Sequence, residues 1–74
     1  MFGVSSEFVD VRKKIFIPGS RVKLLRMDDD YAPPSGTEGT VLNVDDIGTI
    51  HVNWDNGSSL GVTSEDVCVL IGGA

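Results

Sequence analysis

Residues 36–57 read GTEGTVLNVDDIGTIHVNWDNG, and this stretch decides the fold. Ile50, Val52 and Trp54 alternate with polar residues, which is the two-residue period of a half-buried strand. The Asn56-Gly57 pair that follows predicts a tight hairpin of type I′, because that turn needs positive φ at both central positions. A second apolar run precedes a turn rich in Asp and Gly. The stretch therefore predicts two antiparallel strands of a small β domain.

The same pattern extends to both sides of this stretch. Apolar runs bounded by turn residues predict five strands, at about 21–27, 39–44, 49–54, 58–62 and 67–71. A long loop at 28–36 contains two prolines, which cannot donate to a ladder. Residues 64–66 suit a single helical turn. The predicted core consists of Val22, Leu24, Val41, Ile50, Val52, Trp54, Val67 and Val69, and Cys68 should pack beside it as a small hydrophobe.

Residues 5–14 predict a short helix that precedes the strands. Ser5 or Ser6 can cap its first turn, and a basic run at 12–14 suits its C-terminal end. Phe8 and Val11 share a face that could lie on the β domain. We expect this basic arm either to fold back on its own acidic domain or to dock on a second copy and form a homodimer.

Five short strands, a long first loop, two tight hairpins and one helical turn are typical of a Src-homology-3-like barrel. The fold class is therefore mostly β, a small five-stranded barrel with a short N-terminal helix. The predicted organisation is an arm at 1–16, a barrel at 17–71 and a frayed tail at 72–74.

The residues from Ile17 to about Leu70 also carry a resemblance to a known family. The matching pieces are Pro18-Gly19-Ser20-Arg21-Val22-Lys23-Leu24, Met27-Asp28-Asp29, Tyr31-Ala32-Pro33, Gly36-Thr37, Gly39-Thr40-Val41, Val44-Asp45-Asp46, Gly48-Thr49-Ile50-His51-Val52 and Trp54-Asp55-Asn56-Gly57-Ser58-Ser59-Leu60. They resemble a family of small bacterial and mobile-element domains of unknown function. The resemblance implies a compact β fold, no established activity and an accessory role on phages, plasmids or conjugative elements. The Gly-Thr-Val and Trp-Asp-Asn-Gly pieces are also similar to Mind-bomb-type Src-homology-3-like domains. The chain departs from the first family near 63–66, where a longer Pro/Gly turn is expected.

Charge is distributed unevenly along the 74 residues. Residues 1–26 hold all six basic residues and two carboxylates, whereas residues 27–74 hold nine carboxylates and neither Lys nor Arg, so the net charge is −5. Direct nucleic-acid binding is therefore not expected, because it depends on neutralising phosphates. A single cysteine, the lack of a signal-like N-terminus and the lack of an apolar run of about 18 residues suit a cytoplasmic protein with no membrane partner.

No pattern of residues in the chain specifies a reaction, so we expect a non-enzymatic protein with no cofactor and no metal site. We expect the three consecutive Asp residues at 28–30 to form side-chain-to-backbone hydrogen bonds in a turn rather than to bind a cation. A lone His lacks the partners of a zinc site. Trp54 belongs to the core, with its indole N–H bonded to a loop carbonyl. The candidate partner-binding residues lie in the loops and on the polar face of the third strand: Tyr31, Asp28, Asp29, Asp30, Asp45, Asp46, His51, Asp55 and Asn56.

These residues favour a small interaction module that binds a protein partner. Two other functions stay open. One is an acidic inhibitor or nucleic-acid mimic that antagonises a host defence enzyme, for which the acidic two-thirds of the chain is the reason. The other is a small-molecule binder at an oligomer interface, since one barrel is too small to enclose a nucleotide.

Overall fold

The computed structural model describes residues 5–73, so the first four residues of the predicted arm and the last residue of the predicted tail lie outside it. The elements are α1 (Ser6–Ile15), β1 (Arg21–Arg26), β2 (Glu38–Val44), β3 (Ile50–Trp54) and β4 (Val67–Gly72). The four strands form one antiparallel sheet in the order β3-β2-β1-β4. The fold is mostly β with one short helix, as predicted.

The core lies on one face of this sheet, where β1 and β3 present alternate apolar residues and β2 contributes Val41. Six of the predicted core residues are confirmed, each at most 2% exposed: Val22, Leu24, Val41, Ile50, Val52 and Trp54. The prediction that Val67 and Val69 belong to the core was wrong, because their side chains are 45% and 38% exposed. In β4 the inward-facing and outward-facing positions are the reverse of those predicted, since Cys68 faces inward opposite Leu24 of β1.

The predicted fourth strand at 58–62 does not form within the part of the chain that the structure describes. Val62 bridges β3 through two backbone hydrogen bonds with Ile50 of 2.9 and 2.8 Å, and at the other end of the segment the Ser58 carbonyl accepts a bond from the Trp54 amide at 3.0 Å. Before Val62, the Ser58 amide donates to Asn56 Oδ1 and the Leu60 amide donates to Ser58 Oγ. These local bonds compete with a ladder. Five strands and a closed barrel are therefore not confirmed.

The hairpin after β3 also differs from the predicted type I′ turn. No residue other than glycine has positive φ in the described chain, so Asn56 cannot occupy its place in that turn. Instead, the Gly57 amide donates to the Trp54 carbonyl at 3.0 Å, and Gly57 has φ of 92°. This is the pattern of a three-residue loop that ends in a left-handed glycine. Gly48 closes the β2–β3 turn in the same way, with a bond to the Asp45 carbonyl.

The helix α1 folds back on its own sheet and packs against the β2–β3 turn. Ser5 caps it, accepting a hydrogen bond from the Phe8 amide at 3.1 Å. The predicted face was half wrong: Val11 is 53% exposed, whereas Val9 is buried. Phe8 lies so close to Gly48 that a Cβ there would be 2.7 Å from the ring. The turn therefore needs glycine both for its φ and for this contact.

Replacing Trp54 tests the core directly. Its side chain is 2% exposed and Nε1 donates to the Leu60 carbonyl at 2.8 Å. We expect Trp54→Ala to lower the free energy of unfolding by about 3–5 kcal/mol. Trp54→Phe keeps an aromatic ring but removes the donor, so its cost should be smaller, about 1–3 kcal/mol. Urea denaturation measures both, and an unchanged midpoint for Trp54→Ala would contradict this packing.

Candidate functional site

A groove of about 510 Å³ lies between the start of the long β1–β2 loop and the segment that follows β3. Its lining residues are Arg26, Met27, Asp28, Asp29, Thr49, His51, Ser59, Leu60, Gly61, Thr63, Glu65 and Asp66. We call this the acidic groove, because four of these residues are carboxylates and one is an arginine. Met27 and Leu60 give it apolar surface as well.

The acidic groove gathers three of the nine sequence-predicted site residues: Asp28, Asp29 and His51. The two predicted acidic turns do not join them, since they lie at opposite ends of β3, one before Ile50 and one after Trp54. Tyr31 is 85% exposed and stands outside the lining. The predicted residues therefore form separate surfaces rather than one site.

Asp29 shapes the rim of the groove as a turn residue. Its Oδ1 accepts a hydrogen bond from the Tyr31 amide at 2.7 Å, and its carbonyl accepts one from the Ala32 amide at 3.1 Å. This is the side-chain-to-backbone bonding predicted for the Asp28–Asp30 run. Asp28 and Asp30 are exposed beside it.

Asp45 and His51 form a hydrogen-bonded pair next to the groove. Nε2 of His51 lies 2.8 Å from Oδ2 of Asp45, while Oδ1 accepts bonds from the Ile47 and Thr49 amides. The bond with His51 is the largest cause that lowers the pKa of Asp45 below its usual value, and the two amides add to it. Asp45 thus holds the β2–β3 turn through these bonds.

The low pKa of Asp45 predicts a loss of stability in acid. A carboxylate whose pKa is lower in the folded state stabilises the fold above its unfolded pKa, about 3.9, and loses that effect as pH falls through the folded value. Asp45→Asn keeps an oxygen for the turn amides but has no charge. Its melting temperature should therefore fall less than the parent's between about pH 5 and pH 2. Asp30→Asn, away from this pair, serves as the control, and an unchanged acid profile for Asp45→Asn would contradict the assignment.

Two of the other predicted acidic residues, Asp46 and Asp55, also make contacts within the chain. Asp55 forms a bidentate ion pair with Arg21, which also lies 3.5 Å from Glu38. The bond with Arg21 is the largest cause that lowers the pKa of Asp55. Asp46 pairs with Lys13 of α1 at 3.1 Å, although its side chain is fully exposed. The turns at 45–48 and 55–57 therefore fasten the chain to its own basic residues.

Arg12 was missed by sequence reasoning and supports one wall of the groove. Its Nη1 donates to the carbonyls of Gly48 and Val62 at 2.9 and 3.0 Å, and Nη2 lies 3.5 Å from the Asp66 carbonyl. The guanidinium also stacks on the Phe8 ring at 4.6 Å. Burial lowers the pKa of Arg12, although nearby negative charge opposes this. The basic run at 12–14 predicted a favourable helix end and an arm that folds back on the acidic domain or docks on a second copy, but not these individual contacts of Arg12.

Removing Arg12 should loosen both α1 and the 62–66 segment. Arg12→Ala leaves the Gly48 carbonyl without this charged donor, and such losses cost about 1–3 kcal/mol. Hydrogen exchange should become faster in α1 and at Val62, because both depend on this side chain. Lys14→Ala on the exposed face of α1 is the matched control. Equal destabilisation by the two variants would mean that Arg12 acts only through charge.

Other chemistry finds little support among the residues that the structure describes. In residues 5–73 no group of three or more His, Cys, Asp or Glu side chains is placed to hold a metal ion. Burial raises the pKa of the Cys68 thiol to about 11, which makes it a poor nucleophile. The one described helix is too short to cross a membrane.

Comparison with known proteins shows that residues 5–71 match the family described as Domain of unknown function (DUF4314). The chain belongs to this family. The match covers α1, all four strands except the last residue of β4, and the whole acidic groove. No curated protein and no solved structure matches the chain significantly.

Proposed function

We propose that this member of the DUF4314 family is a non-enzymatic interaction module that binds a basic segment of a protein partner in the acidic groove. The observation that supports it is the groove itself, where carboxylates border a cleft of about 510 Å³ with apolar surface inside. Lysine and arginine side chains fit such a surface, because their stems contact apolar groups while their charged ends reach carboxylates.

The charge inside the groove favours a cationic ligand. Asp28 and Glu65 are exposed, and no ion pair within the described residues occupies either carboxylate. Asp66 differs, since it is buried and accepts bonds from the Thr63 amide and hydroxyl. Arg26 is the one Lys or Arg residue in the lining. A ligand with two or more basic residues would therefore find two accessible partners.

A proline-rich ligand has less support than a basic one. Grooves that bind polyproline segments are lined by aromatic side chains. Here the Trp54 ring is buried in the core and Tyr31 stands outside the lining, so no Trp, Tyr or Phe lines the acidic groove. Charge, rather than aromatic stacking, would select the partner.

Nucleic-acid mimicry also has less support. A mimic needs carboxylates that stay unpaired along an extended track, but Asp46 and Asp55 pair with basic residues of the same chain. A small molecule is the second candidate, because the groove volume lies within the range of about 300–1,000 Å³ typical of such sites. Native mass spectrometry of the purified protein would reveal a retained ligand.

The proposal also includes the type of β fold and the genetic origin of the protein. The bridge between Ile50 and Val62 places the 58–62 segment beside β3, where the fourth strand of a Src-homology-3-like barrel would lie. We propose that the sheet is an open form of that barrel and that the protein is an accessory product of a mobile element. The mobile-element origin is supported by the resemblance of the sequence to a family of small bacterial and mobile-element domains.

Binding to synthetic peptides of one length and varied net charge tests the proposal. Basic peptides should bind, acidic ones should not, and amide shifts of Thr49 and Gly61 should move on titration. Glu65→Lys should weaken binding about tenfold, which corresponds to about 1.4 kcal/mol. Asp10→Lys on α1 changes the net charge equally outside the groove and is the matched control. Equal binding of acidic peptides, or equal loss in the control, would contradict the proposal.

A further inference from the structure

The strand β4 leaves one edge of the sheet open. It is the end strand of the order β3-β2-β1-β4 and pairs with β1 alone. Among the described residues, no hydrogen bond outside the sheet involves the backbone or side chains of residues 67–73. The outward-pointing N–H and C=O groups of this strand are thus available to another strand.

The side chains of this edge are apolar and partly exposed. Val67, Val69 and Ile71 are 45%, 38% and 44% exposed, and Leu70 is 42% exposed. Residues 67–73 contain no charged residue and no proline. Exposed edges are normally protected by charges, prolines, β-bulges or a covering segment, because they otherwise pair with other chains, and of these features residues 67–73 have only the register shift at Ile71. We call Val67–Ile71 the β4 edge.

We infer that the β4 edge pairs with the β4 edge of a second copy of this chain, antiparallel and about a two-fold axis at Val69. In that register Val69 lies opposite Val69, and Val67 lies opposite Ile71. The two-residue period of a strand then places Val67 and Val69 of each copy on the same face, whereas Ile71 lies at a register shift between Leu70 and Gly72 and has no partner on β1. Cys68 lies opposite Leu70 on the other face. Every cross-strand pair is apolar, so the strand is complementary to itself.

The distribution of charge favours a second copy at this edge. Each copy carries a net charge of −5, so association requires a surface without carboxylates. Neither β1 nor β4 contains Asp or Glu, and the carboxylates nearest in sequence, at 28–30 after β1 and at 65–66 before β4, lie outside the paired residues 67–71. Lys23 pairs with Val69 on the neighbouring strand. Two Lys23 residues would lie about 14 Å apart across the dimer, at three strand spacings, which exceeds the screening length of about 8–10 Å.

The association state of the full chain tests this inference. Sedimentation should give twice the 7.9 kDa mass of the chain, and added salt should not dissociate the dimer because the interface is apolar. Val69→Lys places two ammonium groups opposite each other and should weaken the dimer about tenfold or more. Leu42→Lys on β2, which is 54% exposed, is the matched control and should leave the dimer intact. Circular dichroism establishes that both variants are folded.

Cysteine cross-linking tests the register. With Cys68→Ala as background, Val69→Cys should form a disulfide-linked dimer on mild oxidation, because residues directly opposite have Cβ atoms about 4.5–5.5 Å apart. Val67→Cys in the same background should cross-link much less, since its partner is Ile71. A monomer at all concentrations, a dimer that Val69→Lys leaves unchanged, or equal cross-linking at both positions would overturn the inference.

Discussion

One guanidinium holds together the parts of this fold that the sheet does not. The four strands cover the core from one side, and α1, the β2–β3 turn and the 62–66 segment lie around it with few ladder bonds of their own. Arg12 reaches a carbonyl in both of the latter two, at Gly48 and at Val62. Charged donors make hydrogen bonds stronger than neutral ones, and partial burial of Arg12 strengthens them further while adding a desolvation cost. Arg12 therefore joins α1 to the β2–β3 turn and to the 62–66 segment.

The contacts of Arg12 also help to position the acidic groove. One wall is the segment at 59–66, which has no strand ladder and is held at only a few points. Trp54 fixes its first half through the Leu60 carbonyl, and Arg12 fixes its second half through Val62 and Asp66. A segment attached to the core at both ends keeps Glu65 in the lining of the groove without strand pairing. A rigid site loses less entropy when it binds, so this anchoring supports a groove that is formed before a partner arrives.

Sequence patterns predicted the elements whose signal is local. The alternation of Ile50, Val52 and Trp54 predicted β3 and its buried face, and Ser5 predicted the start of α1. Sequence patterns failed where the chain has no alternation of apolar and polar residues, or where the contact joins residues far apart in sequence. Residues 67–71 are continuously apolar, so no alternation could show that Cys68 rather than Val69 faces inward. The contact of Arg12 with Val62 and the pairing of Arg21 with Asp55 join residues far apart in sequence. The sequence therefore predicted that the candidate site residues are exposed, in loops or on the polar face of the third strand. Only the structure shows which of them line the groove and which form ion pairs within the chain.

The proposed groove and the proposed β4 edge belong to neighbouring segments, since Glu65 and Asp66 come directly before Val67. Edge-to-edge pairing would use the outer backbone groups of β4, none of whose residues lines the groove, so a dimer would leave both grooves open. It would also fix the two grooves relative to one another through a continuous sheet. A partner with two basic segments could then occupy both, and the second contact would form at a high effective concentration. A groove of modest affinity on a domain this small would in that way bind tightly without any further contact within one copy.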